Sequence, residues 1–313
     1  METKKKILVL CGGEFAFKSI HALGYEKYLC GIGIGKGDPF YVEGLEKECI
    51  NNEIPFKSFP TKTSVKRMLE WLNEVQPDHI FSIAFPYLIP QEVLNYGTEK
   101  FINFHTGPLP RYRGAMPIFE VLKNQEKNTA ICAHFMNQAF DQGNVIFNDQ
   151  IQIAKNETFG SLATKMNNRM GQIVINVAHM LDYASKIPST VQDETEACYY
   201  EKPTLSDTFI HWNTMNASEI IALINACNPW NTGAEAIVLG EQIKIIAAEK
   251  IEELHNELNE GTILPISEHN LIKISCADNE IIAVKILSCS EGIMTAENYI
   301  KLKKLDTLIC ASL

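Results

Sequence analysis

Arginine is the scarcest charge in this chain. Only Arg67, Arg111, Arg113 and Arg169 carry it, against 38 Asp+Glu, and the formal net charge is -10. A protein that grips polyanions generally needs a basic face that displaces counterions, so this balance argues against a general nucleic-acid binder. The nine cysteines (Cys11, Cys30, Cys49, Cys132, Cys198, Cys227, Cys276, Cys289 and Cys310) include no C-x-x-C pair. An odd set of that kind fits neither a secreted disulfide framework nor a zinc site, and most lie in apolar runs, where Cys acts as a small hydrophobe. The eight histidines show no H-E-x-x-H spacing, so no metal is expected. Walker and G-x-G-x-x-G patterns are missing too. No apolar run approaches the roughly 20 residues of a membrane span, and the one before Gly12 is too short for a signal-peptide core. A soluble, cytoplasmic protein with no membrane partner is expected.

With 313 residues, 46% of them hydrophobic, the chain has length for about two domains and ample core. The first two-thirds alternate short apolar runs (Ile7–Leu10, Tyr28–Ile34, 79–85, Phe101–His105, Thr129–Met136) with helical periodicity at 14–27, Lys62–Val75 and 158–184. That alternation predicts an α/β fold, a doubly wound and mainly parallel sheet. Gly12-Gly13 reads as a tight turn after the first strand, and the glycines from Gly31 onward as a glycine-spaced strand with its exit turn. The stretch 193–207 is polar and suited to a linker. Beyond it Ala217–Cys227 reads as a helix, and Gln242–Ala247, Leu271–Cys276 and Glu280–Leu287 as strands of a small, mainly β domain. The expected division is 1–192, 193–207 and 208–313.

Asn103 and His105 stand two apart at the end of a strand, so their side chains share one side near the carboxyl ends of the parallel strands. The Pro108-Leu109-Pro110 loop that follows is stiff. Asp141 lies just after the next strand, in Ala139-Phe140-Asp141-Gln142-Gly143. A carboxamide that donates to an oxyanion, an imidazole that moves protons and a carboxylate that orients it would suit acyl transfer without a protein nucleophile. A plain turn at Asp141 is the alternative reading.

The Asn103-Phe104-His105 run, the loop 108–114 and Asp141-x-Gly143 resemble the folate-dependent formyltransferase family, which includes methionyl-tRNA formyltransferase and formyltransferases of nucleotide-linked amino sugars. The resemblance spans nearly the whole chain, with Gly13–Ile20 and Phe81–Pro90 matching the family's first turn and folate-pocket strand. Phe209–Trp212, Asn228-Pro229-Trp230 and Gly292-x-Met294 match the barrel-like C-terminal domain of the tRNA enzyme. It implies a Rossmann-like catalytic domain and 10-formyltetrahydrofolate as co-substrate. It also implies that Asn103 stabilises the transition state, His105 donates and accepts the proton, and Asp141 raises the pKa of His105. Tyr87, Leu88, Ile89, Asn137, Gln138, Ala139 and Phe140 fall at folate-contacting positions, and Pro108, Leu109 and Pro110 beside folate and acceptor. Gly107-Pro108 departs from the Ser-Leu usual in that loop.

The acceptor amine is not decided by the fold. Residues 208–313 hold seven Lys and fourteen Asp+Glu and no arginine. The region after Ile34 is compact, without the long basic loop that the resemblance attaches to tRNA binding. These features favour a small-molecule amine, an amino-sugar nucleotide, with Arg111 and Arg113 expected to meet its phosphates. Initiator methionyl-tRNA is the alternative, supported by the domain plan. A 10-formyltetrahydrofolate hydrolase, in which water replaces the amine, and a non-catalytic folate binder are readings from other classes.

Overall fold

The computed structural model describes residues 4–184, 186–252, 258–264 and 271–305. The chain forms two compact units: Met1–Pro117, Asn128–Gln152 and Ala163–Tyr200 in one, and Ile118–Lys127, Ile153–Leu162 and Glu201–Leu313 in the other.

The first unit runs β1 (Ile7–Cys11), α1 (Phe17–Tyr25), β2 (Leu29–Ile34), α2 (Pro39–Asn51), β3 (Phe56–Ser58), α3 (Met68–Val75), β4 (His79–Ile83), α4 (Gln91–Leu94), β5 (Phe101–His105) and the two-residue β6 (Arg113–Gly114). After α5 (Pro117–Lys123), which belongs to the second unit from Ile118 on, come β7 (Asn128–Phe135), β8 (Val145–Gln152), α6 (Phe159–Tyr183, in the first unit from Ala163) and β9 (Tyr199–Tyr200). The seven-stranded sheet has the order β3-β2-β1-β4-β5-β7-β8. It is parallel from β3 to β5, and antiparallel at β7 and β8. The direction of winding reverses between β1 and β4, the switch point where such sheets open a crevice.

All five residues of β1 are buried, as a strand covered on both faces requires. The glycines of β2 have a packing reason: a Cβ at Gly33 would stand 2.6 Å from Leu10 Cδ2 and 3.1 Å from the Trp71 ring. At Gly12 a Cβ would stand 2.0 Å from the Ala84 carbonyl oxygen, so this turn is glycine because the exits of β1 and β4 touch. The helix expected over Lys62–Val75 starts as a 3-10 turn at Ser64–Arg67 and becomes α-helical at Met68. It ends at a left-handed Gln76, before Pro77 bars continuation. Helix α2 was not visible in the hydrophobic pattern, since only Leu45 and Cys49 are buried along it. What starts it is local: Asp38 accepts from the Phe40 and Tyr41 amides, with Pro39 at the first helical position. Residues 193–200, read as linker, form a 3-10 turn capped by Asp193 and then β9, which pairs in parallel with β6.

In the second unit α7 (Ala217–Cys227) opens with a reciprocal Asn216/Glu219 capping box and packs on β11. The strands β10 (Ala234–Val238), β11 (Glu241–Ile251), β12 (Ile272–Ser275), β13 (Ile281–Cys289) and β14 (Gly292–Thr295) are joined antiparallel in the order β10-β11-β13-β12, with β14 on β13. Helix α8 (Ala296–Lys303) follows. Trp230 sets its ring edge-on to Phe119 at 5.6 Å and tilted to Phe159 at 6.3 Å. The mainly parallel α/β domain and the small antiparallel β domain are thus both present. Cys11, Cys49, Cys132, Cys227 and Cys276 are buried free thiols; Cys310 lies outside the described residues.

Leu72 is fully buried in the cluster that α3 builds with Leu8, Leu10, Met68 and Val93. Leu72→Ala should therefore lower the unfolding free energy by about 2–5 kcal/mol, read from a urea titration. A loss well under about 1 kcal/mol would show that the site collapses around the missing atoms and is not close-packed.

Candidate active site

Strand β5 lies between β4 and β7 and ends in the catalytic candidates. Its period-two geometry leaves Asn103 half-buried and His105 5% exposed. Asp141 comes from the turn between β7 and β8 in a left-handed conformation with φ 57°, and its side chain is also buried. Asp141 Oδ1 stands 3.5 Å from His105 Nδ1, and Asn103 Nδ2 donates to the same oxygen at 3.2 Å. The three residues proposed from sequence are therefore together.

Hydrogen-bond chemistry orients the groups. The Tyr112 carbonyl, 2.6 Å from His105 Nε2, can only accept, so Nε2 carries a hydrogen and Nδ1 is the nitrogen turned to Asp141. Burial pushes the His105 pKa below its ordinary value, against the opposing pull of the Asp141 charge and the Tyr112 carbonyl. Asp141 thus acts on His105 in the expected direction, but desolvation outweighs it and the net shift is downward. For Asp141 itself burial pushes the carboxyl up. The facing His105 and His134 and the Gly114 amide, which donates to Oδ2 at 3.0 Å, outweigh that and hold it down at about 2. At neutral pH the site pairs an ionised carboxylate with an imidazole that releases its proton easily.

His134 is the member that the sequence reading missed. It lies on β7 opposite Asn103 and is 2% exposed. Its Nδ1 donates to the Phe135 carbonyl at 2.9 Å, so in the neutral ring Nε2 accepts from Asn103 Nδ2 at 3.2 Å. Nε2 also stands 3.4 Å from Asp141 Oδ1. The Asn103 amide nitrogen thus faces two inward acceptors, and its expected donation to an oxyanion requires one of these bonds to open. Only the cross-strand register reveals His134; its sequence context is an ordinary buried strand.

The loop residues Pro108, Leu109 and Pro110 are partly exposed next to His105. Of the other folate candidates, Leu88 and Phe140 are 43% and 46% exposed, and the Tyr87 hydroxyl donates to the Pro60 carbonyl. Ile89 is 1% exposed inside the core, so its side chain is packing. Asn137, Gln138 and Ala139 line a cleft of about 760 Å³ with Gln91, Asn95 and Gln142. Arg111 is exposed, with its guanidinium 5.8 Å from the Tyr112 ring centroid. Arg113 does not meet the role expected of it. It is 3% exposed, and Gln192 and Glu194 occupy its guanidinium nitrogens at 2.7–3.1 Å, so it braces the protein and does not face an acceptor's phosphates.

Two family models match the chain, "Formyl transferase" over residues 37–178 and "Formyl transferase, C-terminal domain" over 203–304. The chain belongs to the formyl transferase family. Among its relatives, a methionyl-tRNA formyltransferase of Clostridium beijerinckii is 29% identical over 268 residues, 85% of this chain and 84% of that protein. Another from Clostridium tetani is 28% identical over 272 residues, 87% and 86% of the two chains. Solved structures share the fold. WlaRD, a sugar 3N-formyl transferase crystallised with dTDP and 5-N-formyl-THF, aligns with a TM-score of 0.68 at 20% identity, over 90% of this chain and 97% of its own. The Helicobacter canadensis N-formyltransferase, solved with folinic acid and dTDP-3-aminofucose, gives 0.64 at 18% identity, covering 90% and 98%. HypX from Aquifex aeolicus, in complex with tetrahydrofolic acid, gives 0.64 at 16% identity, over 99% of this chain and 49% of its own. This formyl transferase is therefore an enzyme of one-carbon group transfer. Among the described residues no helix is long and apolar enough to cross a membrane.

The depressed Asp141 pKa has a stability consequence with a definite sign. The unfolded carboxyl, near 3.8, binds its proton before the folded one at about 2, so its stabilisation is full above 3.8 and is lost as pH falls through 2. The shift corresponds to about 2 kcal/mol. The stability advantage of the wild type over Asp141→Asn, from urea unfolding between pH 5 and 2, should shrink by about that amount. A difference that stays flat across the window would show that the carboxylate is not held in its charged form.

Proposed function

We propose that the enzyme transfers the formyl group of 10-formyltetrahydrofolate to a primary amine, and that this amine is carried by methionyl-tRNA. The observation that carries formyl transfer is the set Asn103, His105 and Asp141, a buried proton carrier fixed beside a buried, ionised carboxylate at the end of β5. The amine nitrogen bonds to the formyl carbon, the carbon's bond to the folate nitrogen breaks, and the proton that the amine loses is the one the folate nitrogen gains. A side chain that takes and returns one proton is sufficient, and His105 is placed to be it. Asp141 orients the ring and offsets its positive charge during the transfer. Asn103 holds the reacting groups in register. Leu88 and Phe140 offer exposed apolar surface to a pterin, and the loop 108–110 borders both substrates. That WlaRD and HypX were solved with folates supports the donor.

The acceptor rests on the sequence relatives. The two clostridial methionyl-tRNA formyltransferases match over more than four-fifths of this chain, C-terminal unit included. A second reading, an amino-sugar nucleotide, is favoured by charge. In the C-terminal unit Lys244 pairs with Glu235, Lys250 with Glu280, Lys285 with Glu249, Lys301 with Glu297, and Lys303 with Glu241 and Glu291. Cations paired in this way offer little net field to RNA phosphates. Only residues 35–38 join β2 to α2.

Mass spectrometry of reactions with 10-formyltetrahydrofolate should find the formyl group on charged methionyl-tRNA, with affinity falling steeply in salt, by roughly 0.9 log units per log salt for each duplex phosphate neutralised. Formylation of a dTDP- or UDP-linked amino sugar with weak salt dependence, and none of the tRNA, would replace the first acceptor with the second. Formate release without either product would make the enzyme a hydrolase. In the productive assay His105→Ala and Asn103→Ala should each lower turnover by about 10²–10³-fold, while saturating 5-formyltetrahydrofolate still raises the melting temperature. Near-normal turnover in both folded variants would refute the mechanism.

A further inference from the structure

Three consecutive residues, Tyr112, Arg113 and Gly114, tie the site together. The Tyr112 carbonyl holds His105 Nε2, and the Gly114 amide holds Asp141 Oδ2. Between them Arg113 points into the protein and meets Gln192, a side chain only 7% exposed. Gln192 Nε2 donates to the Asp141 carbonyl at 2.7 Å and to the Gly143 carbonyl at 2.7 Å, so both amide hydrogens staple one tight turn. Gln192 Oε1 accepts from Arg113 Nε at 3.1 Å and Nη2 at 2.9 Å. Because a guanidinium only donates, the carboxamide cannot flip without setting N–H against N–H. Arg113 is locked in turn by Glu194, whose carboxylate takes Nη1 at 2.9 Å and Nη2 at 2.7 Å.

This turn needs holding. Asp141 is left-handed, a conformation unfavourable for a residue with a Cβ, and a Cβ at Gly143 would stand 1.6 Å from the Phe135 carbonyl oxygen. Backbone bonds carry the same strap onward: Arg113 N donates to Cys198 O, Cys198 N to Pro110 O, and Ala115 N to Tyr200 O.

We infer that Gln192, clamped by Arg113 and Glu194, is a positioning residue that fixes Asp141 against His105, and that the segment 192–200 serves the chemistry as a strap across the catalytic loop. The inference rests on the reading of Asp141 as the group that orients His105. The groups facing His105 are Asp141, His134 and the Tyr112 carbonyl; Gln192 bonds the Asp141 backbone directly and reaches the Tyr112 peptide only through Arg113, and among these groups Asp141 is the charge.

Gln192→Met keeps the volume and removes both donors. Misplacing a catalytic group by an ångström costs about 10²-fold in rate, and a fall of that order in kcat per folded enzyme is expected, with KM for 10-formyltetrahydrofolate changed by less than about twofold. The limb of the pH–rate profile that belongs to His105 should move to lower pH, since the Asp141 charge that supports the imidazolium is no longer held in place. A lower melting temperature with unchanged kcat per folded enzyme and an unmoved limb would reduce Gln192 to a structural residue and overturn the inference. Glu194→Ala, at an exposed position that leaves both Gln192 staples in place, covers the case in which Gln192→Met does not fold. It should lower kcat by a smaller factor and move the limb in the same direction; an unmoved limb there also overturns the inference. Asp141→Asn separates the two readings. Full turnover in it sinks the role of Asp141, whereas its loss beside full turnover in Gln192→Met sinks the strap alone.

Discussion

A carboxylate removed from water must be compensated where it stands, and the arrangement around Asp141 follows from that requirement. Its two oxygens accept from the Asn103 and Gly114 amides, and the rings of His105 and His134 stand 3.5 and 3.4 Å from Oδ1, where a protonated ring would answer the charge. These four groups come from three places: Asn103 and His105 from β5, Gly114 from β6, and His134 from the neighbouring strand β7. The charge therefore fixes their relative positions as much as they fix the charge. The same burial that makes the carboxylate expensive to desolvate makes its effect on His105 strong, because little solvent intervenes to screen it.

The sheet supplies this geometry by a change of direction. Strand β5 carries Asn103 and His105, and antiparallel β7 sets His134 across from Asn103; β7 leaves the sheet beside the start of β5, where Phe135 pairs with Ile102, and the turn that follows folds back to bring Asp141 to both side chains. The turn is strained at Asp141, and the bonds from Gln192 and Gly114 resist its relaxation. Arg113 is the residue whose meaning changes most. On the surface it would be a phosphate ligand; buried against Glu194 and Gln192 it becomes part of the frame.

Much of this was legible in one dimension. Fully apolar β1, the periodic α6 and the capped α7 announce themselves because burial on both faces, a 3.6-residue stripe and an Asn-x-x-Glu box are local patterns. Helix α2 and the short β3 do not, since one buries two side chains and the other spans three residues. The charge imbalance of residues 208–313 was countable, but the pairing of Lys244, Lys250, Lys285, Lys301 and Lys303 with carboxylates was not.

The α/β and β units could be read from the sequence, and Asn103, His105 and Asp141 could be singled out in it as candidates, because period, turn residues and strand ends are short-range properties. The folded chain alone sets His134 opposite Asn103, turns Arg113 inward, buries Ile89 in the core, and bonds residues 192–200 to the segment after β5. Those four facts depend on register between strands and on contacts across tens of residues. No local pattern encodes them, since the same histidine, arginine, isoleucine or polar stretch would read alike on a surface or in a core.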